Sequence, residues 1–388
     1  ADTDADTGFT LTITEVNGAS GNVGTEITLT SGALLTVNSN GSFSYDANHV
    51  FDAIGLGDDD TDTFTYRVSD GTCSDTATVT ITINGVNDCP VAQDDGVSTD
   101  EDTPLNGNLK SDNGSGADSD VDTGDTTTIT EVNGASGNVG NTITLGSGAL
   151  LTVNANGTFN YDPNDQFETL VTGQDDSDSF SYTLSDGTCT DSATVTLTID
   201  GVSDAPLASA QSATAFGNME LVGNTGGLDA AAGASPARTA SVSLLSGASD
   251  IDTATGSLSV VADTGATSKG GTFEVFADGS FVYVPPAGLK NDTDTFTYAV
   301  TDGAATSSAA TVTITVGNLV WFINNTAGGT GGTGTALDPF RTVADFSIEN
   351  DGDTGKPGTG DRIYLDAGAG DYASGITLLD NQVLEGEG

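Results

Sequence analysis

The feature of this 388-residue chain that most constrains its fold is a long internal repeat with an offset of 116 residues. Residues 31–46 read SGALLTVNSNGSFSYD, and residues 147–162 repeat them as SGALLTVNANGTFNYD. Residues 62–73 read DTFTYRVSDGTC; they return at 178–189 as DSFSYTLSDGTC and, with more changes, at 294–305 as DTFTYAVTDGAA. Because a match of this length runs almost without gaps, each copy should fold in the same way. The sequence therefore predicts tandem copies of one domain, with a diverged third copy.

Each copy consists of short segments in which apolar and polar residues alternate, separated by Gly, Asn and Asp. Residues 35–37 and 43–45 are two such segments, joined by NSNGS, whose Asn-Gly pair is expected to supply the positive φ angles of a hairpin turn. Phe64 and Tyr66 are two residues apart, so they should share one core-facing side of a strand. About seven such strands per copy are typical of an immunoglobulin-like sandwich. The predicted class is all-β, and no helix is predicted before residue 340.

The charge of the chain excludes several kinds of partner. The chain has eight Lys and Arg residues against 56 Asp and Glu residues, which gives a formal net charge of −48. Neither nucleic acid nor an anionic membrane surface is therefore expected to bind. No apolar run of membrane-spanning length occurs in the sequence. Asp outnumbers Glu by 46 to 10, which favours loop positions where a short carboxylate bonds the backbone or holds a hard cation.

The sequence contains no recognisable catalytic motif. His49 is the only histidine and lies in a predicted loop, and neither a Gly-rich phosphate loop nor a G-x-S-x-G motif occurs. Carboxylates are so abundant that no pair of them indicates acid–base catalysis. Trp321, the single tryptophan, lies outside the repeats and is predicted to pack in a core. This segment is therefore predicted not to be an enzyme.

Several short motifs resemble those of bacterial cadherin-like tandem repeats. They are GVNDCP (85–90) and GVSDAP (201–206), similar to the linker between domains, STDEDTPL (98–105), DSDVDTGD (118–125) and SDG (69–71 and 185–187). The resemblance covers about residues 1–317 and implies tandem immunoglobulin/cadherin-like β-sandwiches with Ca²⁺ at the junctions. The predicted domains are repeat 1 (1–87, which begins within the domain because Ala1 aligns with Ala117), repeat 2 (88–203), repeat 3 (204–317) and a C-terminal region (318–388).

The resemblance and the alternating direction of the strands together predict one calcium site between repeats 1 and 2. In a sandwich, the loop before the last strand lies at the end facing the preceding linker, so acidic loops should converge there. The predicted ligands are Asn87, Asp88, Asp60, Asp62, Asp118, Asp120, Asp122 and Asp186. Calcium takes six to eight oxygen ligands. The alternative is that these aspartates form turns and carry solvated charge.

Two further sites follow from the same reasoning. A second junction would use Asp204, Asp250, Asp252, Asp302, Asp176 and Asp178, with Glu101 and Asp102, although Ser203 stands there in place of the linker asparagine. Half of a third junction would consist of Asp4, Asp6 and Asp70.

The three cysteines predict one disulfide. Cys73 and Cys89 flank a single strand and should be about 30 Å apart, which is too far for a bond. Cys89 lies in the linker and Cys189 in the loop expected beside it, so these two should pair, and both are replaced together in repeat 3, by Ala205 and Ala305. Cys73 would pair with a linker cysteine upstream of residue 1. The alternative is that the cysteines are small buried apolar residues; the disulfide implies an oxidising, extracellular setting.

The pattern changes after Gly317. A strand, a Gly/Thr-rich loop and a short helical stretch opened by Pro-Phe-Arg-Thr (339–342) precede two or three short strands. This resembles the start of a right-handed parallel β-helix, as in surface proteins and polysaccharide lyases. Because such a helix needs several stacked coils, we expect either a continuing chain or a neighbouring subunit to complete it.

Together these features predict a structural segment of an extracellular, cell-surface bacterial protein. It would be an adhesin or surface filament, a calcium-stiffened rod whose partners are copies of itself, neighbouring surface proteins or cell-surface carbohydrate. One alternative is a spacer for a secreted polysaccharide-degrading enzyme whose β-helix lies beyond residue 388. Another, a carbohydrate-binding module within the repeats, is disfavoured by the single tryptophan.

Overall fold

The computed structural model describes residues 2–3, 8, 10–223, 238–325, 331–335, 338–351, 356–365 and 376–386. The chain forms two compact units. Unit 1 comprises residues 1–167 and 174–201, and unit 2 comprises residues 168–173 and 202–388. Repeat 1 and nearly all of repeat 2 therefore belong to a single compact unit.

The described part of repeat 1 consists of two three-stranded sheets. One has the order β1-β5-β6 and the other the order β2-β3-β4. The predicted strands 35–37 and 43–45 are confirmed as parts of β3 and β4. The strands are β1 (Thr12–Val16), β2 (Glu26–Thr28), β3 (Leu34–Val37), β4 (Phe43–Asp46), β5 (Asp59–Ser69) and β6 (Ser74–Asn84).

Repeat 2 is a sandwich of two four-stranded sheets. The orders are β7-β14-β13-β9 and β10-β11-β12-β8, and the first strand, β7, runs parallel to the last, β14. The prediction of an all-β sandwich is confirmed, with eight strands where about seven were expected. The strands are β7 (Asp95–Asp100), β8 (Leu105–Asn108), β9 (Thr128–Val132), β10 (Thr142–Thr144), β11 (Leu150–Val153), β12 (Thr158–Asp162), β13 (Asp175–Ser185) and β14 (Thr190–Asp200).

The core of repeat 2 follows from the alternation along its strands. Phe180 and Tyr182 both point inward on β13 and are buried, as their spacing predicts. Phe159 packs against Phe180, with ring centroids 6.2 Å apart. Gly107 on β8 lies under the Phe159 ring, where a Cβ would come within 2.5 Å of the ring. Glycine is therefore required for β8 to close over the core.

The predicted turn chemistry of the hairpins is only half right. Gly41 and Gly157 have positive φ, as expected, but the asparagines before them, Asn40 and Asn156, do not. Instead, the Asn40 side chain accepts a hydrogen bond from the Ser42 N–H at 3.0 Å. The loop therefore needs one left-handed residue rather than two, because it is longer than the two-residue turns that require a left-handed pair.

Repeat 3 in unit 2 keeps the same plan with more irregular strands. β15 runs parallel to β24, and β22 runs antiparallel to it; β17, β16, β21, β20 and β19 form a second sheet, and β18 pairs with β23. The strands are β15 (Gln211–Gly217), β16 (Leu221–Gly223), β17 (Arg238–Ala240), β18 (Ser259–Val260), β19 (Asp263–Ala266), β20 (Thr272–Val275), β21 (Phe281–Val284), β22 (Asp292–Tyr298), β23 (Val300–Thr301) and β24 (Ala310–Ile323).

The C-terminal region grows directly out of repeat 3, because β24 continues through residues 317 and 318 without a break. β25 (Arg362–Leu365) and β26 (Val383–Gly386) add to it as parallel strands. The helical stretch predicted after residues 339–342 is confirmed as α1 (Val343–Glu349), capped by the Thr342 side chain. Trp321 is buried in the core of this region, as predicted.

Among the described residues, no helix has the length and apolar character needed to cross a membrane.

Candidate metal centre

The linker between repeats 1 and 2 is held by side chains of repeat 2. Asn87 Nδ2 donates a hydrogen bond to Asp186 Oδ2 at 2.9 Å. The Asp88 N–H donates to Asp122 Oδ2, also at 2.9 Å. The loops that carry Asp122 and Asp186 therefore meet the linker at one end of repeat 2.

Repeat 1 reaches the same place through the loop before β5. The Ala53 carbonyl accepts a hydrogen bond from the Thr123 N–H at 3.0 Å. Gly55 lies against Asp122, since a Cβ at Gly55 would be 3.6 Å from the Asp122 Cβ. The junction is thus built from both repeats within unit 1.

Carboxylates converge at this junction. One oxygen from each of Asp120, Asp125 and Asp186 lies within 4.8 Å of the others. Two buried oxygens, Asp120 Oδ2 and Asp122 Oδ1, accept no hydrogen bond from the described part of the chain. Because burying a carboxylate oxygen without a partner is costly, these oxygens are available to a cation.

The pKa values reflect the crowding of negative charge. Desolvation, followed by the charges of Asp122 and Asp120, raises the pKa of Asp125 above its ordinary value. Hydrogen bonds from the Cys189 N–H and the Asn87 side chain lower the pKa of Asp186. Asp186 is thus held ionised beside neighbours that repel one another, an arrangement that a divalent cation would relieve.

The predicted disulfide is confirmed at the edge of this cluster. Cys89 and Cys189 are bonded, with their Cα atoms 5.6 Å apart. Cys189 follows Asp186 by three residues, and its N–H donates to Asp186 Oδ1 at 2.8 Å. The bond therefore ties the linker to the loop that presents Asp186. Cys73 is exposed and free.

Three residues predicted for this junction lie in the bodies of the repeats instead. Asp62 is buried in repeat 1, where its Oδ2 accepts from Ser31 Oγ at 2.6 Å and from the Tyr45 hydroxyl at 3.0 Å. Asp60 is an exposed residue of β5 whose negative charge helps to raise the pKa of Tyr45. Asp118 lies inside repeat 2, 3.0 Å from the Tyr182 hydroxyl. The physical reason is that strand alternation turns Asp62 toward the core.

The environment of Asp62 recurs in every repeat. Asp178 accepts from Ser147 and Tyr161, and Asp294 accepts from Thr267 and Tyr283. In repeat 1, burial and the hydrogen bond to Asp62 raise the pKa of Tyr45 to about 12. In each repeat this aspartate therefore accepts hydrogen bonds from hydroxyl groups and links its own strand to a strand of the other sheet.

Repeat 3 carries an acidic cluster of its own. Oxygens of Asp250, Asp252 and Asp302 lie within 4.8 Å of one another. The Asp204 N–H donates to Asp252 Oδ2 at 3.1 Å, and Ser203 Oγ donates to Asp302 Oδ2 at 3.0 Å.

The free oxygens of this second cluster also match those of the first. Asp250 Oδ2 and Asp252 Oδ1 are buried and accept no hydrogen bond from the described residues. Burial, with the neighbouring Asp252, raises the pKa of Asp250. The backbone scaffold of the first junction is therefore reproduced in unit 2.

The other residues predicted for metal binding have these positions. Glu101 is buried, Asp102 is exposed, and Asp176 is an exposed residue of β13. Asp70 Oδ1 accepts from the Thr72 and Cys73 N–H groups, the same loop geometry as Asp186. Asp4 and Asp6 lie outside the described residues. Their participation in metal binding stays a prediction.

Sequence reasoning missed two acidic residues of the first junction. Asp125 belongs to the DSDVDTGD motif but was not among the predicted ligands, and Asp58 precedes β5 and acts on the pKa of Asp125. The available signal was the position of both residues in Gly-containing loops that flank the predicted ligands.

The donor set of the first junction suits calcium. All the side-chain donors gathered there are oxygens, mostly carboxylate, and two are buried without a partner. Calcium accepts such hard oxygen ligands in flexible geometry, whereas zinc and copper sites use His or Cys. Bound there, a cation would neutralise carboxylates from both loops and fix the linker between them.

The sequence of the chain matches that of the bacterial cadherin-like domain family three times. The matches cover residues 1–85, 87–201 and 203–318. No curated protein matches the chain.

Among solved structures, the chain is similar to several cadherin fragments. It is 17% identical to protocadherin gamma B2 extracellular cadherin domains 3–6, covering 74% of this chain and 66% of that one (TM-score 0.34). It is 16% identical to the protocadherin gamma B4 extracellular domain, covering 73% and only 43% (TM-score 0.34). Mouse cadherin-23 domains 22–24 are 15% identical over 81% and 89% (TM-score 0.35). The chain thus spans less than two thirds of the first two, and with TM-scores below 0.5 this likeness adds nothing to the family match.

Proposed function

The chain belongs to the bacterial cadherin-like domain family, and on this basis we propose that it is a calcium-stiffened segment of an extracellular adhesin or surface filament. The observation that carries the proposal is the convergence of Asp120, Asp122, Asp125 and Asp186 on the linker between repeats 1 and 2. Two of their oxygens are buried without a hydrogen-bond partner among the described residues.

In this proposal the cation holds the linker between repeats 1 and 2 in one position. Asp120, Asp122, Asp125 and Asp186 would hold it, with main-chain carbonyls and water completing the shell that calcium prefers. Without the ion, four carboxylates would repel one another at the place where the two repeats meet. Removal of calcium should therefore loosen the linker before it unfolds either repeat.

Other features support an extracellular, non-enzymatic role. The Cys89–Cys189 bond suits an oxidising compartment. The net charge of −48 opposes self-association unless cations neutralise it. The proposed partners are other copies of this chain or neighbouring surface proteins, and the proposed domains are 1–87, 88–203, 204–317 and 318–388.

A second candidate function rests on the C-terminal region. Strand β25 pairs in parallel with β24, and β26 pairs in parallel with β25. This arrangement favours the start of a parallel β-helix. In that case the repeats would be spacers, and a polysaccharide-degrading β-helix would follow them. Carboxylates and aromatic sugar platforms in further coils would support this alternative.

The main proposal can be tested by hydrogen–deuterium exchange of the linker. The Asp88 N–H is bonded to Asp122, so calcium should slow amide exchange at residues 85–90 at least tenfold (about 1.4 kcal/mol) relative to chelator. Asp122→Asn should abolish most of this protection. Asp75→Asn, an exposed carboxylate at the opposite end of β6, is the matched control and should behave as wild type. Equal linker exchange in calcium and in chelator would contradict the stiffening role.

A further inference from the structure

A second group of acidic residues lies inside repeat 2, around the beginning of β7. Asp118 Oδ1 accepts from the Gln93 N–H at 2.8 Å, and both Asp118 oxygens lie 3.0 Å from the Tyr182 hydroxyl. The same hydroxyl is 3.1 Å from the Gln93 carbonyl oxygen. Asp94 and Asp95 follow directly in the chain. This group is distinct from the cluster of Asp120, Asp125 and Asp186 at the junction.

Asp95 is the unusual member of the group. The residue is 4% exposed, and neither carboxylate oxygen accepts a hydrogen bond of ordinary geometry from the described residues. Burial raises the pKa of Asp95 to about 6; a hydrogen-bonding interaction with the Asn113 side chain lowers it, and the charges of Asp118, Asp94 and Asp112 raise it by smaller amounts. The buried carboxylate therefore lies beside other carboxylates with only the Asn113 amide, among the described residues, to compensate its charge, which is costly.

Repeat 3 shows how the same position is satisfied without charge. Asp95 pairs with Val195 on the neighbouring parallel strand, and Gln211 pairs with Val312 in the same way. The Gln211 side chain donates to the carbonyls of Ser209, at 3.2 Å, and Ser246, at 2.6 Å. An amide that bonds two main-chain oxygens thus replaces the carboxylate.

The second carboxylate is replaced together with the first. The β-bridges Val91–Ser119 and Leu207–Ser249 align Asp118 with Ala248. Tyr298, the counterpart of Tyr182, keeps the contact with the main-chain carbonyl at this position, Ser209 in place of Gln93, and donates to the Leu244 carbonyl where Tyr182 contacts Asp118. Repeat 3 thus keeps the tyrosine but removes both the buried carboxylate of Asp95 and the half-buried carboxylate of Asp118, as expected if the two serve a common ligand that repeat 3 does not bind.

We propose that repeat 2 binds a hard divalent cation within its own body, with Asp95 and Asp118 as its protein carboxylate ligands. The cation would compensate the buried charge of Asp95 and join the start of β7 to the loop carrying Asp118. Asp94 and Asp112, which lie close enough to act on the pKa of Asp95, would add to the attractive field. Calcium fits a donor set made only of oxygens. The site is independent of the junction, since it uses neither Asp122 nor Asp186.

The test transfers the residues of repeat 3 to repeat 2. In the full chain, Asp95→Gln with Asp118→Ala should lower the calcium stoichiometry, measured by isothermal titration calorimetry, by one ion. This variant should melt in chelator at or above the wild-type temperature, because the buried charge is gone. Asp122→Asn should remove the junction ion instead, and in combination with the double variant should remove two. An unchanged stoichiometry in the double variant would overturn the internal site without affecting the junction.

A measurement on the wild type covers the case in which the variant does not fold. Crystals of the full chain grown with terbium chloride should give an anomalous peak in contact with Asp95 and Asp118 as well as one at the junction. If the junction is occupied and no peak lies beside Asp95, the proposal is overturned.

Discussion

Repeats 2 and 3 share one backbone plan but satisfy it with different chemistry. In both, a linker N–H donates to an aspartate of the following loop, Asp88 to Asp122 and Asp204 to Asp252. Repeat 2 adds a disulfide, through Cys189, and two carboxylates in its body, the buried Asp95 and the half-buried Asp118.

Repeat 3 places neutral side chains at these positions. Ala205 and Ala305 stand where repeat 2 has its cysteines, and Gln211, which donates to two main-chain carbonyls, stands where repeat 2 has Asp95. The carboxylate that repeat 3 buries most completely, Asp294, has five hydrogen-bond donors. The comparison indicates that repeat 3 satisfies the equivalents of the Asp95 and Cys89–Cys189 positions without charge or oxidation, although both repeats keep an acidic cluster beside the linker with two buried oxygens that are unpartnered among the described residues.

The largest effect should follow loss of the disulfide. Cys89 and Cys189 are 100 residues apart in sequence, so replacing both by alanine, as in repeat 3, should destabilise unit 1 by about 3–5 kcal/mol. Chemical denaturation followed by hydrogen exchange can assign the loss to unit 1. The reference is reduced wild-type protein, which should lose the same amount. Equal stability of oxidised wild type and variant would remove the first difference between the repeats.

A smaller effect is expected from the internal aspartate of repeat 3. Burial opposes ionisation of Asp294, but hydrogen bonds from Thr267, the Lys269 N–H and Ser268 outweigh it and lower its pKa. Asp294→Asn would place an amide N–H donor opposite the hydroxyl donors of Thr267 and Tyr283. The substitution should lower the free energy of unfolding by about 1–3 kcal/mol. Asp178→Asn, at the less buried counterpart in repeat 2, should cost less.

The pH dependence of Asp294 has a defined sign. Because its pKa is lowered in the folded state, its contribution is present above the unfolded pKa of about 3.9 and is lost as pH falls through the folded value. Wild type should therefore lose stability on acidification below about pH 4 more steeply than Asp294→Asn, in thermal melts at constant ionic strength. Parallel curves for the two proteins would contradict this assignment.

The sequence predicted the all-β fold and the positions of the strands, though not their full lengths, because period-two alternation and a 116-residue repeat leave few other arrangements. Strand direction also predicted that Asn87 and Asp186 would meet, and with them the Cys89–Cys189 bond. These are properties of topology, and they do not depend on side-chain detail.

Other features depend on side-chain direction. Asp62 was expected at the junction, yet it lies two residues before the buried Phe64 on the same strand. The alternation that predicted a core position for Phe64 applies equally to Asp62, and to Asp178 and Asp294 in the other repeats. The position of Asp118 was not predicted, because topology brings its loop to this end of repeat 2 but does not decide whether the side chain turns toward the linker or toward the Tyr182 hydroxyl. Asp125 was missed because it reaches the junction from an irregular loop.

The smallest expected effect concerns one linker residue, Ser203. Its Oγ donates to Asp302 Oδ2 at 3.0 Å, just as Asn87 Nδ2 donates to Asp186 Oδ2 at 2.9 Å. Ser203→Asn would add an amide oxygen near the repeat 3 cluster, while Thr255 would still stand where the first junction has Asp125. Because the carboxylate count sets most of the affinity, calcium should bind that cluster less than about tenfold more tightly.

The measurement should be made in an Asp122→Asn background, so that calorimetry does not report the junction between repeats 1 and 2. The reciprocal Asn87→Ser change in otherwise wild-type protein is the matched control and should weaken calcium binding at that junction by a similar factor. If Ser203→Asn weakens binding in repeat 3, the linker side chain acts only as a donor to Asp302 and not toward the cation. Any difference in calcium affinity between the two clusters would then come from the number of carboxylates and from the disulfide, and the linker residue, Asn87 or Ser203, would not contribute to it.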